Sequence, residues 1–287
     1  MARLSQVARF LGVVRLIDVS HLGRDRVIGA HLVRGAIVDP GPESALANWI
    51  DDLGEEPSVL LLTHIHLDHA GASGTLVKRY PHLRVYVHEV GAPHLADPAR
   101  LVASAARLYG DEMERLWGEV APVPAERIVA LRGGEEVEGM RVAYAPGHAD
   151  HHVCYLDLES GDAYVGDVAG VRIPPASKVV MPTPPPDIDV EAWQRSLELV
   201  RGWRPRRLRL THFGAVDEVE QHLDAARERL RRQAEAARGA DREGFLAEFE
   251  AELARDLEPP EAERLRQAVP PEQVWLGLER YWRKGMR

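Results

Sequence analysis

One segment of the chain places three histidines and an aspartate directly after an apolar run: Leu60-Leu61-Leu62-Thr63-His64-Ile65-His66-Leu67-Asp68-His69-Ala70-Gly71. The run is short, continuous and apolar, which is typical of a buried strand. The polar side chains then fall in the following turn, where a rigid scaffold can hold them at a cleft. Imidazole and carboxylate groups at this close spacing suit a divalent transition metal such as zinc. His64 and His66 form one candidate pair of ligands. Asp68 and His69 form another, which indicates two adjacent ions.

Three later segments also end a predicted strand on a side chain that can bind a metal. His148 follows the strand-like residues 140–145, Asp167 ends a short apolar run, and His212 repeats the Thr-His ending of the first segment. A single histidine such as His212 is more often a structural residue than a ligand. The whole set at successive strand ends is far more specific than any one match, and it predicts a metal centre.

In order and rough spacing these residues resemble the metal-binding pattern of the metallo-β-lactamase superfamily, and within it the glyoxalase II-like hydrolases. The resemblance covers about the first three quarters of the chain. It implies an α/β fold, a four-layer αββα sandwich, and two divalent metal ions per chain. Zinc is the expected metal, with iron or manganese as alternatives. By the same resemblance the first ion is held by His64, His66 and His148, and the second by Asp68, His69 and His212, with Asp167 bridging the two.

Such an arrangement implies hydrolytic chemistry. Two cations roughly 3.5–4 Å apart lower the pKa of a shared water, so that hydroxide exists near neutral pH, and they polarise a bound carbonyl or phosphoryl oxygen. Asp68 has a second possible role as a catalytic residue, because it lies between candidate ligands of both ions. It could orient the hydroxide or accept its proton. The chemistry expected of the metals is hydrolysis, and the resemblance to the glyoxalase II-like hydrolases implies a small ester, thioester or lactone as the substrate.

The composition predicts a soluble enzyme rather than a membrane or nucleic-acid-binding protein. The chain has 287 residues and no apolar run near the ~20 residues needed to span a bilayer. Residues 1–9 lack the apolar core of a signal peptide, and Cys154 is the only cysteine, so a cytoplasmic location is expected. A net charge of −9 argues against broad nucleic-acid binding. The basic run at residues 204–209 is interpreted as a solvated helix-to-strand connection rather than a phosphate-binding patch.

The order of predicted elements divides the chain into a catalytic domain at residues 1–215 and a helical C-terminal extension at residues 216–287. Apolar runs and turn signals in the first domain predict strands at 13–19, 27–33, 36–41 and 84–88, and helices at 43–53 and 71–80. In the extension, residues such as Leu223, Leu230 and Leu253 recur at helical spacing. An apolar and aromatic group near the C-terminus needs a partner surface. It could dock on the first domain, cover the cleft or form a homodimer.

Two insertions depart from a minimal version of the scaffold. Residues 97–120 are predicted to be helical and could form one wall of the cleft. Residues 171–186 are rich in proline, which predicts a stiff loop close to the metals because it directly follows Asp167. Arg172 and Lys178 in this loop are candidates for binding a carboxylate or phosphate of the substrate, although solvation of the loop is the favoured role.

Two further histidines near the predicted centre have different expected roles. His152 lies four residues beyond His148, where the resembled family commonly carries a second histidine, and it is expected to support a metal ligand. His21 lies in a turn between the first two strands, a position that could overhang the cleft, but it is expected to be a surface residue.

Two other activities stay open at this point. A phosphodiesterase or nuclease of the same superfamily is favoured only if the arginine run borders the cleft. An iron-dependent persulfide dioxygenase-like enzyme would use a related ligand set around one redox-active iron.

Overall fold

The computed structural model describes residues 14–285, and within them twelve strands form two six-stranded sheets that are packed face to face. The first sheet contains, in spatial order, β1 (Arg15–Asp18), β2 (Gly29–Val33), β3 (Ala36–Val38), β4 (Val59–Leu61), β5 (Arg84–His88) and β6 (Ile128–Leu131). The second contains β7 (Glu136–Val137), β8 (Met140–Tyr144), β9 (Val153–Asp157), β10 (Asp162–Gly166), β11 (Arg207–Leu210) and β12 (Gly214–Val216), in reverse spatial order. Strands β3 to β6 pair in parallel, as do β10 and β11, and the other pairs are antiparallel.

Helices cover the outer faces of both sheets. Those of the first domain are α1 (Leu67–Ala70), α2 (Ser73–Arg79), α3 (Ala92–Ala96), α4 (Ala99–Tyr109), α5 (Met113–Trp117) and α6 (Val190–Gly202). The C-terminal helices are α7 (Val219–Gly239), α8 (Arg242–Asp256), α9 (Pro259–Ala268) and α10 (Pro271–Gly285). The predicted four-layer sandwich with helices at its C-terminus is therefore confirmed.

The apolar run before the histidines forms β4, which is buried on both faces. Leu61 points between the sheets, where it joins Val142 and Tyr155 of the second sheet. Leu60 points the other way and packs in the cluster that also contains Leu76 of α2. Because neighbouring side chains of a strand point to opposite faces, a strand covered on both sides reads as a continuous apolar run.

Most predicted elements of the first domain form, with one change of helix type. Residues 84–88 form β5, residues 97–120 contain α4 and α5, and Val13 lies outside the described residues, as do residues 1–9. Residues 43–53 are two short 3₁₀ helices, Glu43–Asn48 and Ile50–Leu53, instead of one α-helix. Trp49 separates them with a φ of −141°, which breaks the helical path.

The C-terminal helices share one apolar cluster with the second sheet. Leu223, Leu253 and Leu278 pack in the same cluster as Val165 and Leu208 of the sheet. Helix α10 also lies directly on the proline-rich loop. A Cβ added at Gly277 would come within 1.9 Å of the carbonyl oxygen of Thr183, so only glycine permits this approach.

A group of charged and polar side chains fastens the proline-rich loop to α7 and α8. Lys178 Nζ donates to Glu252 Oε1 at 2.6 Å and to Asp256 Oδ2 at 2.7 Å. Arg229 of α7 pairs with the same Glu252. Gln233 then makes two hydrogen bonds, each 2.9 Å long, with the backbone of Met181.

Among the residues that the structure describes, no helix is both long enough and apolar enough to cross a bilayer.

Replacing Glu252 by glutamine should make the free energy of unfolding less dependent on pH in the acid range. Burial alone would raise the pKa of Glu252, but hydrogen bonds from Arg229 and Lys178 lower the pKa from 4.5 to about 2. A carboxylate whose pKa is lower in the folded state stabilises the fold above its unfolded pKa, and that stabilisation is lost as the pH falls through the folded pKa. Its contribution is therefore complete above pH 4.5 and disappears towards pH 2.

Denaturant unfolding of the native protein and the Glu252→Gln variant, from neutral pH down to about 2, measures this difference. Glu248, an exposed glutamate one turn earlier on α8, supplies the matched control Glu248→Gln. If the free energy of unfolding falls as steeply with acid in the Glu252→Gln variant as in the native protein, the Glu252 carboxylate does not contribute to this pH dependence.

Candidate metal centre

The seven predicted ligands converge at one edge of the sandwich. They follow the ends of β4, β8, β10 and β11, and helix α1 adds two of them directly after β4. Their possible ligand atoms form three overlapping sets, each with all its atoms within 4.8 Å of one another: His64 with His66 and His148, His64 with His69 and Asp167, and Asp68 with His69 and His212. We call His64, His66 and His148 the first group, and Asp68, His69 and His212, together with Asp167, the second group.

In the first group three imidazole nitrogens face a common point. His66 Nδ1 lies 3.0 Å from His64 Nε2 and 2.9 Å from His148 Nε2. His148 Nδ1 donates to the carbonyl oxygen of Pro182 at 2.9 Å, so its Nε2 carries a lone pair. The inward-facing nitrogens are therefore arranged to bind a cation rather than one another.

The tautomer of His64 is set by Thr63. The Thr63 hydroxyl donates its hydrogen to Asp39 at 2.7 Å. It must therefore accept from His64 Nδ1, which lies 3.1 Å away. This leaves the lone pair of His64 on Nε2, the nitrogen that faces the centre.

The second group combines two imidazoles with two carboxylates. His69 Nε2 lies 3.4 Å from Asp167 Oδ1 and 3.9 Å from Asp68 Oδ2. His212 Nε2 lies 3.4 Å from Asp68 Oδ2. Asp167 turns its other oxygen, Oδ2, towards His148 of the first group at 3.3 Å. One carboxylate thus faces both groups.

Three atoms of this centre are buried without a hydrogen-bond partner: His69 Nε2, His212 Nε2 and Asp167 Oδ1. The opposite nitrogen of each ring is already occupied, because His69 Nδ1 donates to Asp39 at 2.8 Å and His212 Nδ1 donates to the Val27 carbonyl at 2.6 Å. A buried polar atom left unpaired costs about 1–3 kcal/mol. Their concentration at one point fits bound cations, and the donor set is consistent with a dinuclear metal site.

Two imidazoles of the first group are neutral, and the carboxylate between the groups is ionised. Burial and neighbouring imidazoles lower the pKa of His64 well below its usual value, and burial with the nearby His148 lowers the pKa of His66 to about 3. Both rings are therefore neutral at neutral pH, as metal ligands must be. Burial alone would raise the pKa of Asp167, but its imidazole neighbours hold it well below the usual range, so the carboxylate is ionised.

Asp39 is the support of the centre that sequence reasoning missed. This fully buried carboxylate accepts hydrogen bonds from Thr63 N at 2.8 Å, from the hydroxyls of Thr63 and Thr211 at 2.7 and 2.9 Å, and from His69 Nδ1. Its backbone has a φ of +50°, an uncommon conformation that persists where the surroundings fix it. The one signal in the sequence is its position directly after the apolar strand β3.

His152 lies where the sequence predicted a supporting residue. Its ring stacks on His64 with centroids 4.7 Å apart, and its Nε2 accepts a hydrogen bond from the backbone N–H of Asp167 at 3.2 Å. Through these contacts it touches one candidate ligand from each group.

A cavity of about 340 Å³ opens onto the centre, with His66, Asp68 and Asp167 in its lining. Its walls come from α4 and α5, from the proline-rich loop, and from residues 267–274, where α9 passes into α10. The C-terminal helices therefore both dock on the first domain and cover the cleft. Whether they also form a homodimer stays a prediction.

His21 lies in the wall of this cavity, so its predicted surface position is wrong. The residue is 3% exposed and stacks on Trp117 with centroids 5.5 Å apart. Its Nε2 donates to the carbonyl oxygen of Leu116 at 2.8 Å, and its Nδ1 accepts from Gln267 at 3.2 Å. The turn at His21 thus connects the helical insertion to the C-terminal extension.

The two basic residues proposed for substrate binding do not line the cavity. Lys178 is paired with Glu252 and Asp256 of α8, and Arg172 lies 3.5 Å from Glu218. The prolines fix the path of the loop, but Lys178 turns to acidic partners on α8 and Arg172 to Glu218, directly before α7.

The basic run at residues 204–209 also lies away from the cavity. Arg207 pairs with Asp217 and Arg209 with Asp162, at 2.6 Å each. The run covers the connection before β11 and the first three residues of that strand, and its paired side chains turn to acidic partners, so it does not border the cleft.

Residues 32–212 match the family model of the metallo-beta-lactamase superfamily, so the chain belongs to this superfamily. One relative is the metallo-beta-lactamase fold-containing protein ST1585 of Sulfurisphaera tokodaii, 29% identical over 65% of this chain and 72% of the relative. Another is a hydroxyacylglutathione hydrolase of Synechococcus, 30% identical over 46% of this chain. That match spans 42% of the hydrolase, so the chain corresponds to less than half of its length.

Solved structures extend the similarity of fold beyond the family match. The crystal structure of ST1585 from Sulfolobus tokodaii is similar over 94% of this chain and 98% of its own, with a TM-score of 0.71 and 22% identity. The di-iron-bound form of TTHA1623 is similar over 69% of this chain and 91% of its own, with a TM-score of 0.53 and 28% identity.

Replacing Asp39 by asparagine should weaken metal binding roughly 10- to 100-fold, as is usual when the partner of a ligand is lost. The amide would place an N–H group among donors, and His69 would lose its charged acceptor. Competition with a chelator, followed by metal analysis, measures the change. Asp162→Asn, which alters a buried aspartate paired with Arg209, is the matched control and should keep its metal affinity. Equal affinities in the two variants would contradict this role of Asp39.

Proposed function

We propose that the protein hydrolyses a small ester, thioester or lactone at a centre of two divalent metal ions. The observation that carries this proposal is the set of buried polar atoms without a hydrogen-bond partner, His69 Nε2, His212 Nε2 and Asp167 Oδ1. They lie beside a substrate-sized cavity that is lined by Asp167 itself together with His66 and Asp68. The name of the hydroxyacylglutathione hydrolase relative supports a thioester among the candidates.

The metals, when bound, supply an activated water and a polarised substrate carbonyl. His64, His66 and His148 would hold one ion, and Asp68, His69 and His212 the other, with Asp167 between them. The protein itself fixes these side chains, excludes bulk water and moves protons.

We expect Asp68 to be the carboxylate that accepts the proton of the attacking water. Its side chain is 24% exposed towards the cavity, whereas that of Asp167 is 4% exposed. Burial alone would raise the pKa of Asp68, but His69 and His212 lower it, so the group is ionised and can accept a hydrogen. In the reaction the water oxygen bonds to the carbonyl carbon, the bond to sulfur or oxygen of the leaving group breaks, and a proton passes to that leaving group.

The other activities receive less support. The basic run at residues 204–209 lies away from the cavity, which removes the condition under which a phosphodiesterase or nuclease is favoured. A persulfide dioxygenase-like enzyme needs one iron, whereas a complete second group of possible ligands, Asp68, His69 and His212, favours two ions.

Metal analysis combined with a substrate panel tests the proposal. Two metal ions per chain, with turnover of thioesters, lactones or esters, is the expected result. A panel that also contains nitrocefin and bis-p-nitrophenyl phosphate separates β-lactam and phosphodiester hydrolysis. One redox-active iron per chain, or activity only towards the phosphodiester, would overturn the assignment.

His66→Ala and Asp167→Ala should each abolish turnover and lower the bound metal, because each removes a ligand atom from the centre. Both should keep their secondary structure, which circular dichroism measures. His82→Ala, a change of an exposed histidine that bonds to Pro57 outside the centre, is the control and should keep both metal and activity. Full activity in either ligand variant is incompatible with the proposal.

A further inference from the structure

We infer that the substrate carries an aliphatic acyl chain, and that this chain lies in the apolar cavity between α4–α5 and residues 267–274. This inference rests on the proposed hydrolase function and adds the class of substrate.

The walls of the cavity are apolar on three sides. Helices α4 and α5 contribute aliphatic and aromatic side chains, the proline-rich loop contributes proline rings, and the C-terminal segment contributes aliphatic ones. Representative members are Leu101, Leu108, Trp117, Pro184, Val269 and Val274. A volume of about 340 Å³ lies within the range of small-molecule pockets. Apolar walls of this kind stabilise a bound group in proportion to the apolar area that it buries.

The same cavity contains both the apolar walls and part of the metal centre. His66 and Asp68 line it together with Tyr109, whose ring stands edge-on to Trp117 with centroids 5.0 Å apart. The Tyr109 hydroxyl donates to Gln273 Oε1 at 3.4 Å, which joins α4 to α10 beside the cavity. A carbonyl at the centre would therefore place its acyl chain against these walls.

The charges around the cavity do not complement an anionic group. Outside the centre its lining includes two carboxylates, Asp150 and Asp187, one guanidinium, the exposed Arg100, and the imidazoles of His21, His94 and His151. Glutathione carries two carboxylates, and a site that recognises it needs complementary cations. A hydrocarbon chain needs none, so it fits this lining better than the acyl-glutathione of the hydrolase relative.

The apolar walls are fixed before a substrate arrives. His21 ties the Leu116 carbonyl to Gln267 and so joins the helical insertion to the C-terminal extension. Pre-formed walls bind a flexible chain without the further cost of ordering the protein. The cavity is therefore pre-formed between the helical insertion, the proline-rich loop and the C-terminal helices.

A series of thioesters with one neutral leaving group, N-acetylcysteamine, tests the inference on the zinc-loaded protein. From acetyl to decanoyl, kcat/KM should rise about fourfold for each added methylene until the cavity is filled. Lactoylglutathione should be a poorer substrate than the octanoyl thioester. Values of kcat/KM that are flat or fall with chain length overturn the inference, while the proposed hydrolase function stands.

Calorimetric binding of acetate, hexanoate and decanoate to the same protein separates the two proposals. Affinity that rises steeply with chain length supports the acyl cavity even if no thioester, ester or lactone is hydrolysed, a result that would overturn the proposed function alone. Equal affinity for the three carboxylates overturns the acyl cavity.

A charge placed in the wall gives an independent readout. Leu108 is half-buried and lines the cavity, so Leu108→Asp should lower the ratio of decanoyl to acetyl kcat/KM at least tenfold, about the contribution of two methylenes. Leu158→Asp makes the same change at an exposed leucine outside the cavity and should leave the ratio unchanged. Equal ratios in the two variants overturn the proposed location of the chain.

Discussion

The centre depends on one buried carboxylate that collects hydrogen bonds from separate strand ends. Asp39 follows β3 and accepts from Thr63 after β4, from Thr211 after β11, and from His69 on α1. β3 and β4 belong to one sheet and β11 to the other. A single negative charge therefore fixes the two sheets relative to each other at the edge where the metal ligands meet. The same carboxylate aligns His64 indirectly, since it takes the hydroxyl hydrogen of Thr63 and makes that oxygen an acceptor.

The fold and the ligands could be predicted because their signals are local. A buried strand shows as an apolar run, and the ligands follow such runs at short distances, as His64 and His66 do after β4. The supports could not be predicted in this way. The partners of Asp39 lie 24, 30 and 172 residues away, and Gln267 lies 246 residues from His21. Nothing in the neighbouring sequence marks an aspartate or histidine that is fixed by contacts at such separations.

The proline-rich loop shows a related limit of sequence analysis. Its closeness to the centre followed from its position after Asp167, and the Pro182 carbonyl does bond to His148. The direction of the Lys178 side chain depended on acidic partners in α8, which the loop sequence does not reveal. The position of the loop in the sequence therefore predicted where its backbone lies. The direction of the Lys178 side chain depends instead on acidic residues of a distant helix.

The residues that hold the metals and the residues that enclose the substrate come from different parts of the architecture. The ligands follow the central strands, whereas the cavity walls come from the helical insertion, the proline-rich loop and the C-terminal helices. Natural variation in the walls can therefore alter which molecules are accepted without disturbing the reactive groups. Relatives that share the ligand pattern but differ in these three segments are expected to have diverged in specificity while retaining a common chemistry.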